Sequence, residues 1–143
     1  MYTLSITNHF DAAHRLSGYK GNCKKIHGHR WVVTVIFKGP DLNNWGALID
    51  FKEVKDYLKK YIDDRYDHKL MLKTQDKLNG KIKKILPMDW ITWTEQNPTA
   101  ENITRDIFQD LSPWFKSKKI KLEKVVVFET PKNGVSYRSS QKK

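Results

Sequence analysis

The stretch HGHRWVVTVIFK, residues 27–38, decides the fold. His27, His29, Trp31, Val33, Val35 and Phe37 occupy every second position, so an extended chain sets all six on one face. That pattern predicts a long strand with one covered face. Upstream, Tyr2, Leu4 and Ile6 alternate with Thr3, Ser5 and Thr7, which predicts a half-buried strand over residues 2–7. Residues 17–25 hold Gly18, Gly21 and Asn22 and read as a loop between the two. Downstream, Asp50 opens a helix with Glu53 three residues on, as in a capping box. Val54, Tyr57, Leu58, Tyr61 and Ile62 form its apolar face, and it is expected to end near Asp64, just before Asp67 and His68. Pro98-Thr99 begins a second long helix, capped by Thr99 and buried through Ile103, Ile107, Phe108 and Leu111, with Pro113 limiting or kinking it. Residues 121–128 predict a third core strand. Asn133-Gly134 is a hairpin signal, and residues 135–138 predict a short returning strand. Residues 73–97 are the least regular part; 77–86 suits a short helix and 90–94 an added strand. The order is strand, strand, helix, helix, strand, strand. It describes one α+β domain over residues 1–143, with no repeat or linker.

Bulk properties narrow the function classes. The chain has 143 residues, 38% of them apolar and 30% charged, in the range of a globular domain with its own core. No apolar run approaches the roughly 18 residues of a membrane span. The first residues lack a basic segment followed by an apolar one, so no secretory signal is expected. Cys23 is the single cysteine, which excludes an intramolecular disulfide and points to a reducing cytoplasm. The net charge of +11 favours anionic partners. The lysines are dispersed as doublets at 24–25, 59–60, 83–84, 118–119 and 142–143, which describes a solvated basic surface rather than a dense basic tail.

The chemistry concentrates in the histidines. His27 and His29 share a strand face, and an antiparallel partner strand could bring His14 opposite them. Three histidines with one open position are a common catalytic zinc site, whereas a closed structural site takes a fourth protein ligand, for which Cys23 is the candidate. Cys23 lies four residues before His27 in a lysine-rich loop. Nearby lysines and a metal would favour its thiolate, which could serve as a general base beside a metal-bound substrate. Asp67-His68 pairs a carboxylate with an imidazole, the composition of a proton-handling unit.

Phe10-Asp11-Ala12-Ala13-His14-Arg15-Leu16 followed by Cys23-x-x-x-His27-Gly28-His29 resembles the signature of the 6-pyruvoyl-tetrahydropterin synthase superfamily. Leu48-Ile49-Asp50-Phe51, Asp67-His68, Pro98-Thr99-Ala100-Glu101-Asn102 and Glu129-Thr130 extend the likeness, in order, over nearly the whole chain. The resemblance implies the tunnelling fold, a four-stranded antiparallel sheet with two helices on one face. Subunits of that fold join their sheets into a barrel, commonly as a homohexamer built from two trimers, with active sites between subunits. It implies zinc on His14, His27 and His29, Cys23 as general base, Asp67 and His68 in proton transfer, and Glu129 as the pterin anchor, with Glu101 and Thr99 near the pterin end. A carboxylate suits the anchoring role because the amino-pyrimidine edge offers parallel N–H donors. The three-residue gap between Cys23 and His27 resembles the 6-carboxytetrahydropterin synthases of the queuosine pathway. The expected reaction turns 7,8-dihydroneopterin triphosphate into 6-carboxy-5,6,7,8-tetrahydropterin, with release of acetaldehyde and triphosphate. The alternatives are a pyruvoyl-forming synthase that eliminates triphosphate only, and a non-enzymatic basic module that binds nucleic acid; the resemblance implies neither a nucleic-acid nor a membrane partner. Two departures stand out. Lys69-Leu70-Met71-Leu72 replaces a segment that often ends Leu-Asn in the family, and residues 73–97 are longer than in compact members.

Overall fold

The computed structural model describes residues 1–140; the Lys142-Lys143 doublet lies outside them. Its frame is a pair of 13-residue strands, β1 (Tyr2–His14) and β2 (His27–Gly39), joined in an unbroken antiparallel register from Tyr2 opposite Gly39 to His14 opposite His27. β1 therefore extends well beyond residue 7. Asp11, Ala12, Ala13 and His14 have little strand propensity of their own, but the ladder with β2 and the burial of Phe10, Ala12 and His14 carry the strand through them.

The sheet corrects the expected four antiparallel strands. It has six, and it is mixed, in the order β4-β3-β1-β2-β5-β6. β3 (Leu70–Lys73) runs parallel to β1, and β4 (Ile91–Thr94) runs parallel to β3. β5 (Lys121–Thr130) pairs antiparallel with β2, and β6 (Asn133–Tyr137) with β5. β3 has no alternating signature because Leu70, Met71 and Leu72 are all buried, Met71 in the main core and its neighbours in a second cluster.

The last hairpin differs as well. Thr130 pairs with Asn133, so Pro131 and Lys132 make the turn, while Asn133 and Gly134 belong to β6. Gly134 is needed for packing rather than for turning. It lies opposite Phe128, and a Cβ there would come within 2.8 Å of that ring.

Two long helices cover one face. α1 (Phe51–Arg65) is capped by the Asp50 carboxylate, which accepts from Lys52 N at 2.8 Å. It buries Val54, Leu58 and Ile62. The 18-residue helix over Ala100–Ser117 runs through Pro113 and buries Ile103, Ile107, Leu111 and Phe115. Between them in the chain lies α2 (Asn79–Ile85), so the long C-terminal helix is α3. α2 is the short helix expected within residues 77–86, additional to the two on one face. Its Ile82 packs with Leu70, Leu72 and Ile91, on the side of β3 opposite Met71. The main core of Phe10, Trp31, Val33, Val35, Phe37, Val125 and Val127 lies beneath α1 and α3. No helix among the described residues is long and apolar enough to cross a membrane.

Candidate functional site

The covered core ends at one tip of the β1–β2 ladder in three imidazoles. Register and alternation stack Phe10 opposite Trp31, Ala12 opposite His29 and His14 opposite His27, all on the helix side. One ring nitrogen from each of His14, His27 and His29 lies within 4.8 Å of the others. His14 is 1% exposed; the other two are half-buried.

The hydrogen bonds fix the tautomers. His14 Nδ1 donates to the Pro98 carbonyl at 2.7 Å, just before α3, and His27 Nδ1 donates to the Lys25 carbonyl at 2.8 Å. Each ring therefore turns an Nε2 lone pair inward, and those two nitrogens stand 3.1 Å apart. Two lone pairs at that distance repel unless a cation or a proton lies between them. His29 Nε2 is buried with no hydrogen-bond partner among the described residues. Burial holds the His14 imidazole down to about 4, against a partial offset from the Pro98 carbonyl, and burial likewise lowers His29. Neutral, inward-facing imidazoles are the donor set of a divalent metal such as zinc, so the three histidines could hold one.

Glu129, at the end of β5, follows Val125 and Val127 on the same covered face. Its Oε1 is 3.5 Å from His14 Nε2 and 3.8 Å from His29 Nε2. The negative charge partly counteracts the lowering of His29. Cys23 sits half-buried in a single 3-10 turn (Asn22–Lys24), two residues before the carbonyl that orients His27. Its thiol is not part of the three-nitrogen cluster. Thr99 caps α3 by accepting from Asn102 N at 3.3 Å, and Glu101 is exposed in the first turn of that helix. Thr99 adjoins Pro98, so the start of α3 is tied directly to His14.

Asp67 and His68 are placed elsewhere. His68 has a left-handed backbone with φ of 58°, uncommon for a residue other than glycine, and donates its N–H to Asp11 O at 2.7 Å. Asp67 Oδ1 accepts from Asp11 N at 3.0 Å, and its Oδ2 accepts from His68 Nδ1 at 2.7 Å. The pair is thus built as a carboxylate-oriented imidazole. The His68 ring is largely exposed and borders a depression of about 570 Å³ with Asp11, Arg30, Lys69, Leu86 and Trp90. Alternation sets the Asp11 and Arg30 side chains on the sheet face opposite the three histidines. One chain therefore offers the histidine cluster on one face and the Asp67–His68 pair beside the other.

Other residues shape the site without a sequence signature. The carbonyls of Pro98 and Lys25 carry no side-chain pattern, although Pro98 lies in a segment already singled out. Arg15 falls inside the quoted Phe10–Leu16 motif without a role of its own, and Asp76 and Asn97, which with it hold the Cys23 loop, lie too far along the chain for spacing to reveal the contacts.

Residues 3–140 match the family model described as 6-pyruvoyl tetrahydropterin synthase. The chain is 33% identical over 123 residues to a Rickettsia bellii protein named 6-carboxy-5,6,7,8-tetrahydropterin synthase, covering 85% of this chain and 89% of that one. A Haemophilus influenzae protein of the same name is 31% identical over 144 residues, covering 96% and 99%. Among solved structures, the Caenorhabditis elegans 6-pyruvoyl tetrahydropterin synthase superposes with a TM-score of 0.71 at 27% identity, covering 97% of this chain and 96% of that one.

Proposed function

The chain belongs to the 6-pyruvoyl tetrahydropterin synthase family, and from that premise we propose that it converts 7,8-dihydroneopterin triphosphate and one water to 6-carboxy-5,6,7,8-tetrahydropterin, acetaldehyde and triphosphate, as a cytoplasmic step toward queuosine and related 7-deazapurines. The observation that carries this reading is the convergence of the ring nitrogens of His14, His27 and His29 within 4.8 Å of one another, with the single thiol, Cys23, four residues before His27. Zinc on His14, His27 and His29 would supply Lewis-acid polarisation of the substrate's side-chain oxygens. Cys23 removes a proton from a side-chain carbon as general base. Asp67 orients His68 through Nδ1, leaving Nε2 to exchange a proton with a side-chain oxygen. Glu129 receives the amino-pyrimidine N–H donors, with Thr99 and Glu101 bordering the pterin end. The three-residue gap between Cys23 and His27 supports the carboxy-forming branch.

The two faces of the β1–β2 ladder bear on assembly. By strand alternation, a substrate bound at the histidine cluster of one subunit lies on the face away from that subunit's own His68. Both groups serve one reaction when the second comes from a neighbouring copy. That arrangement agrees with sheets joined into a barrel, as a homohexamer of two trimers. The whole chain, 1–143, acts as one domain, and its basic surface suits a triphosphate substrate rather than nucleic acid.

The test incubates zinc-loaded protein with 7,8-dihydroneopterin triphosphate and measures acetaldehyde and triphosphate. Zinc-dependent release of both supports the reading. Triphosphate alone moves the assignment to the pyruvoyl-forming reaction, and release of neither from zinc-loaded, assembled protein sinks the lyase reading.

A further inference from the structure

The loop that carries Cys23 is clamped to the longer segment between β3 and α3. Arg15 directly follows His14 and is only 14% exposed. Its Nε donates to the Lys24 carbonyl at 2.9 Å, one residue beyond Cys23, while its Nη1 contacts Asp76 Oδ1. The Asp76 side chain is fully buried. Its Oδ1 also accepts from Leu78 N at 2.8 Å, and its Oδ2 has no partner among the described residues. The Arg15 guanidinium is thus the cation that compensates a desolvated carboxylate, and its planar fork fixes both contacts in one geometry. Leu16 N donates to the Cys23 carbonyl at 2.8 Å, closing the loop on itself. At the loop's entry, Ser17 and Asn97 exchange two hydrogen bonds of 2.9 Å.

We propose that the buried Arg15–Asp76 ion pair is a positioning device for Cys23, which makes Arg15 and Asp76 positioning residues for the reaction. This rests on the lyase reading, in which Cys23 must approach a carbon of the bound substrate. His14 and His27 fix where the substrate's reacting end lies, and Arg15, next in the chain to His14, bridges from the end of β1 to the backbone beside Cys23. Asp76 holds that bridge from the segment after β3.

Cys23 is the single thiol, so its alkylation reports on this loop alone. The experiment compares zinc-loaded wild-type protein with Asp76→Asn and Arg15→Lys, well below their melting midpoints. The second variant retains the buried cation and keeps the test open if the first folds poorly. Tyr61→Phe is the control; it removes a 2.7 Å hydrogen bond to Asp110 between α1 and α3. Iodoacetamide should label Cys23 about tenfold faster in both loop variants as the loop opens locally, and at the wild-type rate in Tyr61→Phe. The kcat should fall on the order of 10²-fold in both, because a reacting group has moved. KM should stay within about twofold, with zinc content unchanged. An unchanged labelling rate overturns the proposal whatever the turnover, and so does faster labelling with undiminished kcat. Failure of the lyase reading is distinct: it shows as wild-type protein without turnover, and labelling needs no substrate.

Discussion

The two faces of the β1–β2 ladder use the same strands for opposite purposes. On the covered face, His14, His27 and His29 continue a run of core residues, and their environment is dry enough to hold His14 and His29 neutral. On the other face, Asp11 and Arg30 form an exposed ion pair beside a His68 that is oriented yet open to solvent. A metal-ready site needs deprotonated ligands with fixed lone pairs, and burial supplies both. A proton shuttle needs access to a substrate oxygen, and exposure supplies that. Alternation along β1 and β2 thus sets the histidine cluster on one face and the Asp11–Arg30 pair, beside His68, on the other.

The largest effect should come from breaking the covered face. His27→Ala should drop bound zinc from about one per chain to near none, by metal analysis, and turnover should fall with it. His68→Ala should sharpen the contrast. Its kcat should fall about 10²- to 10⁴-fold with zinc content intact, which steady-state kinetics and metal analysis together would reveal. An equal loss of zinc in both variants would mean that the two faces are not separate.

The covered face should also make the metal-free protein acid-sensitive. His14 titrates near 4 when folded, against an ordinary value of 6.5, so the unfolded chain binds the extra proton first. Stability contributed by the neutral ring is present above about pH 6.5 and is lost as pH falls toward 4, by an amount on the order of 3 kcal/mol. Urea midpoints of the metal-free protein should fall over that window, and His14→Gln should flatten the slope. The smallest effect is expected on the open face. Arg30→Ala breaks an exposed ion pair and should leave the urea midpoint of the metal-free protein essentially unmoved.

How much of this was legible depended on whether one physical constraint dominated locally. β2 is covered on one side, so its alternation placed His27 and His29 on a common face. Asp50 and Thr99 were readable as caps because a side-chain acceptor before an apolar period has a local meaning. β3 was not readable, since Leu70 and Leu72 are buried on one side and Met71 on the other. The final turn misled because Gly134 is explained by the Phe128 ring and not by a turn. His68 has a left-handed backbone, a conformation that an Asp-His dipeptide does not announce. The Arg15–Asp76 pair spans 61 positions and leaves no periodic trace.

The most direct test of the account is complementation between faces. His27→Ala and His68→Ala proteins are each purified, mixed, unfolded together and refolded with zinc, and acetaldehyde release from 7,8-dihydroneopterin triphosphate is measured. If each site takes its histidine cluster from one copy and its His68 from another, random mixing restores about a quarter of wild-type activity, far above either parent. If the mixture regains the wild-type assembly and zinc content expected of its intact chains but stays as inactive as its parents, the two faces do not meet between copies and the account is contradicted.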